Sequence, residues 1–194
     1  YTTSELVRLL ELSAEHGFGL LEDDWGSDMR SGTEHRPTLR ALGGEDVLYV
    51  NSFTKKLLPA LRLGYVVANR ALVNTLTFHK RLAILANAQL SEAVLAEFLE
   101  RGYYDVHLAR LQMALDKRYH NTLEVLREGM PEEVRFTTPG GGPTLWLDLP
   151  RSVDLPLLRA ALAARNVDIE NADVQFDGPP LLHGFRVSLS LIHI

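Results

Sequence analysis

The sequence predicts an α/β fold followed by a smaller α+β part. Two short apolar runs, residues 18–24 and 47–51, each end in polar side chains, as buried strands do where a sheet edge carries a binding site. Helical periodicity then prevails from about residue 70 to residue 129. After Pro131 the pattern changes to short strands around a single helix. Neither an internal repeat nor a heptad seam is present, which excludes a repeat protein and a coiled coil.

The first part of the chain is predicted to contain one helix and three strands. Ser4 is the expected N-terminal cap of the helix, and Gly17 is expected to end it. The segment 26–46 is rich in glycine, serine and charged residues, which is typical of a loop. The predicted strands are 18–24, 47–51 and 61–68.

The remainder is predicted to be three long helices and then a mixed part. Two strands are expected to be joined by a turn at Gly140–Gly142, which lacks the helix and the lysine-serine pair of a phosphate loop. Trp146 is expected to lie in the core or at an interface between lobes, and Asp154 to cap the last helix. The predicted helices are about 70–81, 89–101, 104–129 and 154–165, and the predicted strands are 134–137, 144–149, 167–170 and 185–191.

Composition restricts the class of protein. The chain has 194 residues, 46% hydrophobic and 23% charged, so it can bury a core. The net charge of -5 argues against a nucleic-acid surface, because phosphate binding needs clustered lysine and arginine. Cysteine is absent, which excludes a disulfide scaffold and fits a reducing cytoplasm, and the scattered histidines predict no metal site.

No apolar run is long enough to span a bilayer and no signal peptide is present, so we expect a cytoplasmic protein without a membrane partner. The chain starts at Tyr1 without a methionine. Its last six residues, LSLIHI, resemble the translated end of a sequencing adapter. We therefore expect a fragment of a longer protein.

Chemically reactive side chains follow the first two predicted strands. An acid, a hydroxyl, a lysine and an arginine on adjacent strand ends suit a cofactor with a basic ring nitrogen, an aldehyde and a phosphate. Pyridoxal 5'-phosphate (PLP) has all three groups. The residues concerned are Asp23, Asp24 and Trp25 after the first strand, and Ser52, Thr54, Lys55 and Arg62 after the second.

Each residue type has a role in holding PLP. A lysine condenses with the aldehyde, and a carboxylate keeps the pyridine nitrogen protonated. A hydroxyl and an arginine hold the phosphate, and a second arginine, with Arg186 as the candidate, can hold a substrate carboxylate. Simpler roles stay open: the aspartates as turn caps, Lys55 as a solvated lysine and Arg62 as a surface charge. Arg62 nevertheless lies in an otherwise apolar run, and a buried charge needs partners.

Five segments together resemble a known family. They are LLEDDWGSDMR, LYVNSFTKKLLPALRLGYVVAN, HLARLQMALDKRYHNTLEVL, GGGPTLWLDLP and GFRVSLS, in the family's order. The chain resembles the C-terminal part of fold-type I PLP-dependent aminotransferases. More closely, it resembles the aminotransferase-like domain of MocR-type transcriptional regulators of the GntR family.

The resemblance implies an architecture and partners. Residues 1–103 would be the C-terminal part of the PLP-binding large domain, 104–130 a long linking helix, and 131–194 a small α+β domain. The intact protein is expected to be a homodimer. DNA would be bound only through a helix-turn-helix domain upstream of this chain.

The resemblance also assigns roles by position. Lys55 resembles the Schiff-base lysine, whereas Lys56 stands where the family usually has a small polar residue. Asp23 resembles the partner of the pyridine nitrogen, with Asp24 as the alternative. Ser52 and Arg62 resemble phosphate ligands, with Thr54 as a further candidate. Arg186 resembles the arginine that receives a substrate or effector carboxylate.

Two features depart from the family. Trp25 stands where the family has a tyrosine whose hydroxyl contacts the phenolic oxygen of PLP, and an indole N–H can donate but cannot accept or ionise. In addition, the family's phosphate-binding turn, ring-stacking aromatic residue and asparagine have no counterpart in residues 1–194. The Schiff-base chemistry, and with it the capacity for transamination, is therefore expected to differ.

Three functions fit the sequence. The first is a PLP-binding effector domain that senses an amino compound or amino acid through the lysine Schiff base. The second is an aminotransferase that exchanges amino groups between an amino acid and a 2-oxo acid, with Lys55 also moving the proton at the substrate carbon. The third is a structural remnant that binds no cofactor.

Overall fold

The computed structural model describes residues 1–30, 37–139, 142–169 and 176–189. These residues form helices and strands in mixed order. The helices are α1 (Thr3–His16), α2 (Leu39–Gly43), α3 (Arg70–Ile84), α4 (Gln89–Glu100), α5 (Tyr103–Gly129) and α6 (Leu155–Ala163). The strands are β1 (Leu20–Asp23), β2 (Val47–Ser52), β3 (Gly64–Val67), β4 (Arg135–Phe136), β5 (Thr144–Asp148) and β6 (Gly184–Ser188).

The described residues divide into two compact units. Unit 1 contains residues 1–28 and 37–110, and unit 2 contains residues 29–30 and the described residues from 111 to 189. The division falls inside α5, the longest helix. The predicted domain boundaries at 103 and 130 stay a prediction.

Unit 1 is built on a three-stranded sheet in the order β1-β2-β3. Strands β1 and β2 are parallel, with Leu20 opposite Val47 and Asp23 opposite Val50, whereas β3 is antiparallel to β2. The first residue of β3, Gly64, has to be a glycine, because a Cβ atom at this position would lie only 2.7 Å from the carbonyl oxygen of Asn51. Parallel pairing brings the carboxyl ends of β1 and β2 to one edge of the sheet, as the sequence predicts.

The amphipathic helix α1 covers one face of this sheet. Its Leu6 is buried together with Leu39 and Val47. The helix is capped by Thr2, whose hydroxyl accepts the N–H of Glu5, while the Glu5 carboxylate accepts the N–H of Thr2. The prediction of Ser4 as the cap is wrong, because the glutamate three residues later completes a capping box only from Thr2. Gly17 ends the helix in the left-handed conformation, as predicted.

The segment predicted to be a loop, 26–46, contains regular structure. Short 3-10 turns form at Ser27–Met29 and Gly44–Asp46, and α2 lies between them. Thr38 caps α2 through its hydroxyl, and both oxygens of the Glu22 carboxylate accept N–H groups of its first turn. The part of this prediction that concerns residues 31–36 lies outside the described residues.

Unit 2 contains an antiparallel sheet in the order β4-β5-β6. Leu145, Leu147 and Phe185 point from it into one apolar cluster with residues of α5. The α5 side chains in that cluster recur at helical spacing, and they are Tyr119, Leu123 and Leu126. Trp146 points to the opposite face of β5 and lies outside the cluster, with its ring against Phe176.

Several predicted elements differ in extent. Helix α3 runs on to Ile84, whereas α6 ends at Ala163. Residues 167–169 form no strand within the described part, and residue 170 lies outside it. The turn residues Gly140 and Gly141, and the end of the strand predicted at 185–191, also lie outside the described residues. Asp154 caps α6 as predicted. Among the described helices, none has the length and apolar character required to cross a membrane.

Candidate cofactor site

Three consecutive acidic residues at the end of β1, Glu22 to Asp24, lie in three different environments. Side chains alternate between the two faces of a strand, so Glu22 and Asp24 share a face and Asp23 points to the other. Glu22 caps α2. Asp24 accepts hydrogen bonds from the Ser27 N–H and hydroxyl at 2.9 and 2.5 Å and from the Tyr49 hydroxyl at 2.9 Å. Asp24 therefore has the turn-capping role that the sequence left open for both aspartates.

The electrostatic state of Asp24 follows from these contacts. Burial alone would raise its pKa, but the hydrogen bonds from Ser27 and Tyr49 and the positive charge of Lys56 together hold the pKa below its usual value. Burial, with the neighbouring Asp24 carboxylate, raises the pKa of Tyr49, so its hydroxyl stays protonated and donates. Asp24 is thus a carboxylate whose two oxygens already accept three hydrogen bonds within the fold.

Asp23 is in a different position. It is exposed, and its carboxylate has no hydrogen bond or ion pair with any residue that the structure describes. Of the two aspartates, Asp23 has the carboxylate that is available to a ligand.

The two lysines after β2 lie in opposite environments. Lys55 is exposed, and its Nζ lies 3.9 Å from the centroid of the Trp25 ring, which is a cation–π distance. Lys56 is only 3% exposed, and its Nζ donates to Oδ2 of Asp28 at 2.8 Å and to Oδ1 of Asn51 at 2.5 Å. The contact between Lys55 and Trp25 joins the two predicted strand ends directly.

Lys56 belongs to a chain of hydrogen-bonded side chains, here called the polar network. The Asn51 amide donates to the Tyr49 hydroxyl at 2.6 Å, and the Tyr104 hydroxyl lies 3.3 Å from the Asp28 carboxylate. Burial, together with the Asp28 charge, raises the pKa of Tyr104, so this hydroxyl also stays protonated. The polar network consists, in order, of Asp24, Tyr49, Asn51, Lys56, Asp28 and Tyr104.

Sequence reasoning missed the polar network. Two signals were present: Asn51 continues the inward-facing alternation of Val47 and Tyr49, and Lys56 stands where the resemblance implies a small polar residue. A polar residue at an inward strand position needs a partner, and Lys56 is the residue that supplies it.

The predicted phosphate ligands lie around the same turn. The Ser52 hydroxyl accepts the N–H of Thr54 at 3.1 Å, and it lies 3.4 Å from the carbonyl oxygen of Leu63. Arg62 is exposed and adopts the left-handed conformation, with φ of 51°, at the end of a 3-10 turn. Arg62 is not the buried strand residue that its apolar surroundings in the sequence predict, because β3 begins only at Gly64. Its guanidinium is available, with no ion pair to a described residue.

Arg186 lies in unit 2. It stands on β6 directly opposite Trp146 of β5, so the two side chains share the face that points away from the apolar cluster. The other predicted site residues all lie in unit 1, at the carboxyl edge of its sheet or in the turns that follow. They are Asp23, Trp25, Ser52, Thr54, Lys55 and Arg62.

Comparison with known proteins identifies the family. The family described as aminotransferase class I and II matches residues 1–173 of this chain. The chain belongs to this family. Its fold is accordingly that of fold-type I aminotransferases, with part of the large domain followed by the small α+β part.

Three relatives illustrate the range of the family. The chain is 30% identical over 161 residues to aromatic-amino-acid aminotransferase 1 of Thermococcus litoralis, covering 82% of this chain and 39% of that protein. It is 34% identical over 175 residues to the HTH-type transcriptional regulator TauR of Rhodobacter capsulatus, covering 88% of this chain and 35% of that protein. The structure of LysN, the alpha-aminoadipate aminotransferase of Thermus thermophilus complexed with N-(5'-phosphopyridoxyl)-L-leucine, superposes with a TM-score of 0.88, at 28% identity, over 95% of this chain and 48% of that one.

The resemblance read from the sequence is therefore confirmed: the domain is aminotransferase-like, with both aminotransferases and HTH-type regulators among its relatives. The chain spans less than half the length of these relatives.

The residues present fit PLP, the cofactor that the family implies. The group needs an amine for its aldehyde, a carboxylate for its ring nitrogen and cationic or hydroxyl donors for its phosphate. Lys55, Asp23 and Arg62 would supply the three charged groups, and no described residue forms an ion pair with any of them. The Ser52 hydroxyl adds a hydrogen-bonding group at the end of β2, where it accepts the Thr54 N–H and can donate its own proton.

Proposed function

We propose that this chain is the PLP-binding effector domain of a MocR-type transcriptional regulator, which senses an amino compound or amino acid through Lys55. The observation that supports it best is the contrast between the two lysines. Lys55 presents an exposed amine beside Trp25, while Lys56 is held in the polar network. The 34% identity to an HTH-type regulator supports the regulatory role.

Bound PLP would supply an aldehyde carbon, which condenses with an amine with loss of one water, and a ring that accepts electrons. Lys55 would provide the amine. The Asp23 carboxylate would accept a hydrogen bond from the protonated ring nitrogen and so keep it protonated. Ser52, with Thr54 as a further candidate, and Arg62 would donate to the phosphate. Arg186 would receive the carboxylate of an amino-acid ligand.

Trp25 favours sensing over turnover. An indole N–H donates but cannot exchange a proton as a tyrosine hydroxyl does. A site with Trp25 would therefore bind and exchange amines through Lys55, while repeated proton transfer at the substrate carbon would be slow.

A connection to the long helix supports a signalling role. His107, on the second turn of α5, has its Nε2 2.6 Å from the carbonyl oxygen of Lys56, and Tyr104 on the first turn contacts Asp28. A change in the lysine segment would reach α5, the helix that passes from unit 1 into unit 2. In the intact protein, expected to be a homodimer, DNA would be bound by a helix-turn-helix domain outside this chain.

Absorbance of bound cofactor tests the proposal. We expect the complete protein that contains this chain to turn yellow with PLP, and Lys55→Ala to abolish the band. Lys80→Ala is the matched control, since Lys80 is an exposed lysine of α3 in the same unit. Failure of the unsubstituted protein to bind PLP would support the cofactor-free alternative instead.

The second candidate is an aminotransferase, favoured by the 30% identity to an aromatic-amino-acid aminotransferase. Steady formation of a 2-oxo acid from an amino acid distinguishes the two. The regulator is expected to complete at most one half-reaction per site, and sustained production over many turnovers would establish the enzyme.

A further inference from the structure

We infer that Lys56 is a positioning residue for Lys55: its buried ammonium, bound by Asp28 and Asn51, fixes the segment that presents the Lys55 amine and leaves Lys55 as the one lysine of the pair open to an aldehyde. This role for Lys56 rests on the proposed function, because it concerns how the amine of Lys55 is positioned. It concerns residues that the family resemblance leaves unassigned, because a small polar residue is usual at position 56.

The environment of Lys56 shows that it is held as a charged group. Its side chain is 2% exposed, and the Asp28 carboxylate beside it is 32% exposed. A buried ammonium is stable only with charge-assisted hydrogen bonds, and Lys56 has two, to a carboxylate and to an amide oxygen. An aldehyde could reach this amine only if both contacts broke and the proton left.

Lys56 is also tied through its backbone. Its N–H donates to the carbonyl oxygen of Phe53 at 3.2 Å, and its own carbonyl oxygen lies 2.6 Å from Nε2 of His107. On the other side of Lys55, the Thr54 N–H donates to the Ser52 hydroxyl. Both neighbours of Lys55 are therefore fixed, which sets the direction in which the Lys55 side chain leaves the backbone.

The polar network extends this effect to the carboxylate end of the site. Asn51, which accepts from Lys56, donates to Tyr49, and Tyr49 donates to Asp24. Asp24 in turn holds the turn that follows Asp23. One connected set of hydrogen bonds thus fixes the strand end that carries Asp23 and the segment that carries Lys55.

Amine reactivity tests the first half of the inference without any cofactor. The complete protein, free of PLP, is pulsed briefly with acetic anhydride, and acetylation of each lysine is measured by peptide mass spectrometry. We expect Lys56 to react at least about tenfold more slowly than Lys55, because its charge-assisted hydrogen bonds must break first. Lys80 calibrates the exposed rate, and denaturant should equalise all three. Equal folded-state rates at Lys55 and Lys56 would overturn the inference.

Two variants test the positioning role. Lys56→Met removes the Lys56 hydrogen bonds and the positive charge beside Asp28. The double variant Lys56→Met with Asp28→Asn removes those hydrogen bonds together with both charges of the ion pair. The rate at which PLP attaches to Lys55 is measured in the folded protein, well below each melting temperature. We expect about a tenfold slower attachment in both variants and a higher melting temperature for the double than for the single variant.

The double variant separates positioning from a merely structural role. A structural role alone predicts that attachment returns to the original rate when the charge imbalance is removed, and that result would overturn the inference. Absence of PLP attachment in the unsubstituted protein would overturn the proposed function only. The ratio of the acetylation rates of Lys55 and Lys56 would still show whether the Lys56 amine is protected while the Lys55 amine is accessible.

Discussion

The two sheets in the described residues differ in the side chains that they bury. The sheet of unit 1 buries the apolar Val47 under α1 but polar side chains toward the candidate site, whereas the sheet of unit 2 buries apolar side chains against α5. The sheet of unit 1 directs Asp24, Tyr49 and Asn51 to one face, where they join Lys56 in the polar network. The sheet of unit 2 directs Leu145 and Leu147 into an apolar cluster. Apolar packing stabilises without strict direction, whereas a buried polar group is stable only when each donor and acceptor is matched. The sheet of unit 1, called the polar sheet below, therefore fixes the positions of its side chains closely, and the candidate site lies at its edge. The sheet of unit 2 is called the apolar sheet.

The largest loss of stability is expected in the apolar sheet. Leu145 is 2% exposed, so Leu145→Ala should lower the free energy of unfolding by roughly 2–5 kcal/mol. The control, Leu157→Ala, removes the same atoms from a side chain that is 69% exposed and should change it by less than about 0.5 kcal/mol. Urea unfolding measures both, and similar values for the two would contradict the assignment of the core of unit 2.

A smaller loss is expected when the polar network is cut at its centre. Asn51→Leu removes one hydrogen bond from the Lys56 ammonium and one from the Tyr49 hydroxyl, which then keep only Asp28 and Asp24 as partners, and should cost roughly 1–3 kcal/mol. Asn121→Leu is the control, since Asn121 is exposed on α5. If Asn51→Leu lowered the free energy of unfolding no more than Asn121→Leu, the polar network would not stabilise this face of the sheet. The proposed difference between the two sheets would then be contradicted.

Acid should weaken the polar sheet more than the apolar one. The pKa of Asp24 is lower in the folded protein than its usual value of 3.8, so its ionised form contributes stability above that value and loses it as the pH falls through the folded pKa. Asp24→Asn should cost about 1 kcal/mol at neutral pH and flatten the loss of stability below about pH 4. Unfolding measured across this range, with Asp46→Asn at an exposed position as control, checks the expectation. An unchanged acid slope in Asp24→Asn would be inconsistent with it.

The smallest effect is expected at the exposed edge of the polar sheet. The Lys55–Trp25 contact lies near the surface, where a cation–π interaction contributes about 0.5–1 kcal/mol. A double-mutant cycle with Trp25→Leu and Lys55→Met measures this coupling in the protein without PLP. A coupling energy of zero would mean that Trp25 does not hold the amine.

Local patterns were enough to predict some elements and not others. Helices α3, α4 and α5 begin within one residue of their predicted starts, because each has a long apolar periodicity. Helix α2 was missed because its five residues are stabilised by Glu22, 17 residues earlier in the chain. Strand alternation could have separated Asp23 from Asp24 without a structure. The pairing of Lys56 with Asp28, 28 residues apart, depends on tertiary contacts that no local pattern records.

The site that the sequence proposed thus remains a prediction, with its geometry now defined. The structure gathers Asp23, Ser52 and Lys55 at one sheet edge, which follows from parallel pairing of two strands that sequence alone could foresee. Their roles in binding PLP are tested by measurements on the protein with the cofactor bound.

Locating the attached cofactor tests the central claim most directly. The complete protein is loaded with PLP, reduced with borohydride to make the carbon–nitrogen bond permanent, and digested for peptide mass spectrometry. We predict that the pyridoxyl group is found on Lys55, and that none is found on Lys56 even when Lys55 is replaced by alanine. A pyridoxyl group on Lys56 of the unsubstituted protein, or on neither residue while PLP is bound elsewhere, would contradict the account.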